Sequence, residues 1–261
     1  MDNVGLVTGA SSGIGRELAR IHAEHHRDLV VVARRESELN DLKRELEAAH
    51  RGVEVRVAAA DLTDAAARER LAEQLRADGV RVEYLFNNAG FGYAGFLHEQ
   101  DWGKLAGMIE LNVTALTHLT HLLLPAMVAD GQGRILNTSS TAGFMPGPLQ
   151  AVYFATKAYV NSFSKAIASE LEGTGVTVTA LCPGAVETEF ADTAQMSGTK
   201  LFDGAKSPRY TAERGYAAME RGDLEVITEV GLQVMIKGAL PFVPERVGMR
   251  QVRKLQEGAL N

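Results

Sequence analysis

Tyr153 and Lys157 stand four residues apart in Tyr153-Phe154-Ala155-Thr156-Lys157, and Ser140 lies thirteen residues upstream of the tyrosine, at the end of an apolar run. Four residues is about one helical turn, so on a helix both side chains project from one face. A free phenol titrates near ~10, which makes it a donor but a poor base at neutral pH. A lysine charge ~5 Å away, at an effective dielectric of ~20, stabilises the phenolate by ~3 kcal/mol. That is roughly two pK units, enough to let the phenol pass a proton either way near neutrality. The pair alone is a weak signal, because chance Tyr-x-x-x-Lys spacings are common on helices. Its weight depends on what the rest of the chain brings beside it.

The first apolar run leads straight into Thr8-Gly9-Ala10-Ser11-Ser12-Gly13-Ile14-Gly15. Glycines in such a turn allow close approach of the backbone to a phosphate, and the amides and dipole of the helix that follows face the same anion. The spacing is Gly-x-x-x-Gly-x-Gly. Arg16-Glu17 after the last glycine rules out a Walker loop. An acidic residue at the tip of the second strand would bind the 2′-hydroxyl of NAD, whereas an arginine accommodates the 2′-phosphate of NADP. Here the strand ends Val32-Ala33-Arg34-Arg35. Arg34 is the first candidate and Arg35 the second, both through planar forks suited to phosphate. NADP(H) is the expected cofactor.

These residues need a scaffold. Apolar β-like runs at Val4–Thr8, Asp28–Ala33, Val53–Ala58, Tyr84–Asn87, Arg134–Thr138 and Val176–Leu181 alternate with helical periodicity, and a short last strand fits near Val226–Ile227. The helical stretches are Gly15–His25, Glu36–Ala49, Ala65–Asp78, Leu105–Met127 and Tyr153–Glu172. Continuous apolar strands separated by helices imply a parallel sheet covered on both faces. The expected fold is therefore α/β, a Rossmann-like doubly wound parallel sheet of about seven strands. With no linker or repeat in sight, residues 1–261 read as a single domain. Residues 185–222 read as loop-rich or helical, and a tail follows over 231–261.

With these motifs in order, the chain resembles the short-chain dehydrogenase/reductase family in its compact branch. The resemblance runs from Thr8 to at least Thr188. It takes in the glycine turn, Asp61-Leu62, Asn87-Asn88-Ala89-Gly90, Asn112, Ser140, Tyr153-x-x-x-Lys157, and Pro183-Gly184 with Val186 and Thr188. The resemblance implies an NADP-dependent oxidoreductase acting on a carbonyl or alcohol. Gly9, Ser11, Ser12, Gly13, Ile14 and Gly15 would cradle the cofactor phosphates. Asp61 and Leu62 would contact the adenine. Asn88, with Ala89 and Gly90, would line the cleft beside its ribose, and Thr188 would bond the carboxamide. Ser140 would hold the substrate oxygen, Tyr153 would exchange its proton, and Lys157 would bind the nicotinamide ribose. Asn112 would fix a water that relays protons to Lys157. The resemblance also implies a homodimer or homotetramer and places residues 185–222 as a substrate lid.

The stretches that would surround the substrate are rich in apolar and aromatic side chains: Phe91, Tyr93, Thr141, Phe144, Met145, Leu149 and Phe190. They favour a hydrophobic ketone or aldehyde over a phosphorylated sugar. Met196-Ser197-Gly198-Thr199 reads as a flexible part of the lid. Two other readings compete. One is a catalytically silent NADP-binding sensor, against which the intact Ser140, Tyr153, Lys157 and Asn112 argue. The other is an epimerase or dehydratase, whose longer relatives carry a different glycine pattern.

The composition, 46% hydrophobic with a net charge of −6, gives no footprint for nucleic acid. Cys182 is the single cysteine, so no internal disulfide forms. His22, His25 and His26 on one helix, and His118 with His121, lack the pattern of a zinc site, so no metal is expected. No signal segment or spanning run is evident, and a cytoplasmic protein without stable membrane insertion is expected. Leu232–Leu255 mixes apolar residues with Lys237, Arg246, Arg250, Arg253 and Lys254. It suits docking on the body or on a neighbouring subunit, and less well a membrane surface.

Overall fold

The computed structural model describes residues 4–194, 196 and 204–257. Residues 197–199 of the tract read as flexible lie outside the described residues. A seven-stranded parallel sheet runs in the order β3-β2-β1-β4-β5-β6-β7. Its strands are β1 Val4–Thr8, β2 Leu29–Ala33, β3 Val55–Ala59, β4 Val82–Asn87, β5 Gly133–Thr138, β6 Val176–Cys182 and β7 Glu225–Ile227. Helices cover both faces, so the central strands are buried on two sides and read as unbroken apolar runs. The order reverses between β1 and β4, where a crevice opens at the carboxyl ends of the strands.

On one face lie α1, Gly13–Glu24, and α2, Glu36–Ala49, with Leu18, Leu39 and Leu42 packed against β1 and β2. The other face carries α3, Ala65–Ala77, a long composite helix, and α6, Ala151–Glu170. The composite helix is α4, Trp102–Ile109, then a π-helical turn over Glu110–Ala115, then α5, Leu116–Asp130. It is long and apolar enough to cross a bilayer by length and composition, but its α5 half packs against β4 and β5. No uninterrupted apolar run marks it, because polar residues such as Asn112, Thr117 and His118 punctuate it.

The expected lid over 185–222 is shorter than its range. Among the described residues of that range, the cleft is lined by Ala185, Val186 and Thr188 to Phe190, with Thr193 of α7, Phe190–Thr193. Pro208–Arg221 forms α8, a body helix. Its stripe Ala212, Tyr216 and Met219 is buried in the same core as α1, which the 3.6-residue periodicity of that segment explains.

Candidate active site

The segments that follow β1 to β6 at the carboxyl edge of the sheet converge on one cleft of about 710 Å³. Parallel strands place every such edge on the same side, which is why motifs far apart in sequence meet here. Gly9, Ser11, Ser12, Gly13 and Ile14 line the cleft, with Arg34, Arg35, Asp61, Leu62, Asn88, Ala89 and Gly90. Ser140, Tyr153, Lys157, Pro183, Gly184, Val186 and Thr188 complete it, and Phe91, Tyr93 and Phe190 border it.

The glycine turn is shaped for close contact. Gly13 has φ +54°, a left-handed conformation that favours glycine. Gly15 does not line the cleft, and its role is packing. A Cβ there would stand 2.4 Å from the Gly9 carbonyl oxygen and 2.5 Å from Asn88 Nδ2. Ser12 caps α1 without a side-chain bond, and the first turn carries no acidic residue. The first amides of α1 therefore keep their donors for an anion in the cleft. Thr8 ties this turn to β4, since its Oγ1 accepts from Asn88 N at 2.9 Å and from Ala89 N at 3.0 Å.

The two arginines diverge after the strand end. Arg35 reaches the glycine turn, donating to Ser11 Oγ at 3.1 Å and to Glu189 at 3.0 Å. Arg34 lies near Asp61, whose carboxylate is held below its usual range by the Thr63 amide and hydroxyl, with help from Arg34. The first-ranked arginine is thus beside the adenine-side acid, and the second is the one that touches the turn. Successive side chains leave an extended chain on opposite sides, and only the folded backbone decides which side faces the turn.

Around the tyrosine, α6 presents Tyr153 and Lys157 on one face, both buried. Lys157 Nζ donates to the Thr138 carbonyl at 2.8 Å and lies 5.8 Å from the Tyr153 ring centre. Ser139 Oγ is spent on the Lys157 carbonyl at 2.9 Å, which leaves Ser140 as the serine beside the phenol. Ser140 Oγ accepts from Ala142 N at 3.1 Å. The Phe190 ring lies tilted beside Tyr153, with ring centres 5.3 Å apart.

The expected downward pull of Lys157 on the phenol is not what prevails. Burial pushes Tyr153 up to about 12, against the hydrogen bond with Ser140, which lowers it. The same burial pulls Lys157 down to about 8. The pocket that desolvates the phenol also weakens the charge meant to stabilise its anion.

Asn112 sits in the π turn, is buried, and does not line the cleft. Its Oδ1 accepts from Phe91 N at 3.1 Å, and its Nδ2 donates to Phe91 O at 2.9 Å and to Thr156 Oγ1 at 3.1 Å. Both amide hydrogens are committed, so the side chain fixes the segment after β4 against α6.

Four substrate-side residues are placed elsewhere. Thr141, Phe144, Met145 and Leu149 do not line the cleft. Phe144 packs with Cys182, Ile236 and Leu240, and Met145 bridges that cluster and the one around Tyr153 and Phe154. The Thr141 amide bonds the Pro183 carbonyl at 2.9 Å, and the buried Leu149 accepts from Gly95 N at 2.8 Å. For Phe144 and Met145 the tail supplies apolar partners that no local sequence pattern reveals. Conversely, Lys104 and Thr193 line the cleft without a sequence signal.

The residues present fit a nicotinamide dinucleotide: donors at a helix N-terminus, an acid and two arginines at one end, a buried Ser-Tyr-Lys group at the other. The short chain dehydrogenase family profile matches residues 3–197. Sulfoacetaldehyde reductase 2 of Chromohalobacter salexigens is 38% identical over 192 residues, covering 73% of this chain and 75% of that protein. A short-chain dehydrogenase from Sphingobium yanoikuyae in complex with NADPH superposes with a TM-score of 0.83 at 32% identity, covering 95% of each chain. A short chain dehydrogenase/reductase from Burkholderia phymatum in complex with NAD gives a TM-score of 0.81 at 28% identity, covering 90% of this chain and 92% of the other.

Proposed function

Because the chain belongs to the short-chain dehydrogenase/reductase family of oxidoreductases, we propose that it is a cytoplasmic NADPH-dependent reductase of apolar ketones or aldehydes, reversible toward the alcohol. The observation that carries this reading is the buried Ser140-Tyr153-Lys157 group at the end of a cleft whose other end holds the glycine turn and Arg34 and Arg35. Phe91, Tyr93 and Phe190 favour an apolar substituent on the substrate.

The bound nicotinamide supplies the hydride. Negative charge then builds on the substrate oxygen. Ser140 and Tyr153 aim hydroxyl donors at that oxygen, each contributing about 2–4 kcal/mol to the transition state. Tyr153 completes the alcohol by giving its proton, and takes it back in the reverse direction. Lys157, charged below its lowered pKa of about 8, orients on the Thr138 carbonyl beside the phenol.

The raised phenol fixes the sign of the pH dependence. Reduction needs protonated Tyr153, which persists through neutral pH when its pKa is about 12. Alcohol oxidation needs the phenolate, whose fraction grows about tenfold per pH unit below the pKa. Oxidation is therefore expected to rise from neutral pH to about 8, where Lys157 begins to lose its charge, while reduction stays level. Rates in both directions across that range are the check. An oxidation rate already level at neutral pH would mean that Lys157 does pull the phenol down.

The cofactor choice is tested with a panel of apolar ketones and aldehydes, sulfoacetaldehyde included, followed by NADPH and NADH absorbance. NADPH is expected to win by about 10–100-fold in kcat/KM, with Arg35→Glu erasing most of that margin. Equal use of the two cofactors would refute the NADP preference. Tight NADPH binding without turnover of any carbonyl would favour the silent binder instead.

A further inference from the structure

Residues 230–242 form one nearly continuous helical segment: α9, Val230–Val234, a π-helical turn, Met235–Ala239, and a short 3-10 turn, Leu240–Phe242. Its inward stripe is Leu232, Ile236 and Leu240, seated against Cys182 and Ile227. Lys237 adds an ion pair to the buried Glu225 side chain at 2.8 Å. The segment is thus already anchored to the body by one face. Two residues turn a helix by about 200°, so the positions midway between the inward ones point outward. They are Val230, Val234, Gly238 and Phe242. A surface helix ordinarily carries polar residues there. Here Val230 is 64%, Val234 66% and Phe242 86% exposed.

The helix that follows, α10, Glu245–Gln256, shows the complementary outer face. Val252 packs toward the cluster containing Tyr153 and Phe154, and Gln256 is buried. Two residues away from these inward positions stand Arg250 and Lys254, with Arg246 about one turn before Arg250, all exposed. Among the described residues, none of the three pairs with a carboxylate. Residues 231–261 hold five basic and two acidic side chains, in a chain whose net charge is −6.

We infer that this C-terminal segment lays the protein onto an anionic lipid surface, with the Val230, Val234 and Phe242 stripe in the headgroup–acyl boundary and the basic stripe of α10 on the headgroups. An apolar stripe on one helical segment and a cationic stripe on the helix that follows it, each with its opposite face already satisfied, match the composition of interfacial helices. A leaflet of anionic lipid takes a convex apolar ridge without needing a matching groove, and it supplies the dense array of anions that three unpaired cations call for. The Val230–Phe242 helix is too short to span a bilayer, so the protein lies on the membrane rather than across it.

The test is co-sedimentation of the full chain with vesicles of phosphatidylcholine alone or mixed with phosphatidylglycerol, at low and high salt. Binding to the mixed vesicles, weakened by salt and absent on phosphatidylcholine, is expected. Arg246→Ala, Arg250→Ala and Lys254→Ala together should weaken it about 100-fold, and Phe242→Asp about tenfold. Circular dichroism confirms that the variants are folded, since all four side chains point to solvent. Equal pelleting by both kinds of vesicle, or by neither, would overturn the inference. So would light scattering in which Phe242→Asp splits a lipid-free dimer, because that stripe would then be covered by a second copy of the chain.

Discussion

Tyr153→Phe is expected to lower carbonyl reduction about 10³-fold for every substrate that the wild type turns over, while NADPH binding is retained. The substitution removes one oxygen and leaves the ring, which packs with Phe154 and Phe190. The phenol oxygen gives up only its hydrogen bond with Ser140, so the fold has little to lose. The chemistry loses both a donor to the developing oxyanion and the proton that completes the alcohol. Its polar neighbours are already engaged in the fold. Ser139 is bonded to the Lys157 carbonyl, and Lys157 itself donates to Thr138. Steady-state rates, with NADPH binding followed by fluorescence, separate the two effects. A variant that keeps near-normal rates would refute Tyr153 as the proton donor.

The second large effect is expected at Gly15→Ala, where cofactor affinity should fall about 100-fold and the protein should lose about 1–3 kcal/mol of stability. The new methyl would meet a backbone oxygen, Gly9 O, at 2.4 Å and Asn88 Nδ2 at 2.5 Å. Neither neighbour yields easily. Gly9 belongs to the turn itself, and Asn88 Nδ2 is held by the Thr8 carbonyl at 3.1 Å. Relief must come from opening the turn or from expelling Asn88, and each displaces the donors that face the cleft. Gly231→Ala is the matched control, because a Cβ at Gly231 meets nothing within 4 Å. Titration with NADPH and thermal unfolding of both variants provide the check. Unchanged affinity in Gly15→Ala would show that the turn does not hold the cofactor.

The tail has a bearing on the site as well as on the surface. Its inner stripe packs against Phe144 and Met145, and Val252 reaches the cluster around Tyr153.

The sequence by itself determined the strands, the order of the motifs and the pairing of Tyr153 with Lys157 on one helix face. Buried parallel strands must be unbroken apolar runs, and β1, Val4–Thr8, follows directly from its residues. A helix places Tyr153 and Lys157 on one face whatever surrounds it. Long-range packing settled the rest. It put Arg35 rather than Arg34 on the glycine turn, because the side a residue faces after a strand end depends on the loop's path. It drew Phe144 toward the tail by supplying Ile236 and Leu240 as partners. It drew α8 from the supposed lid into the core beside α1. It also set the Tyr153 phenol high, because burial acts through the whole surrounding shell and spacing along the chain carries no record of it.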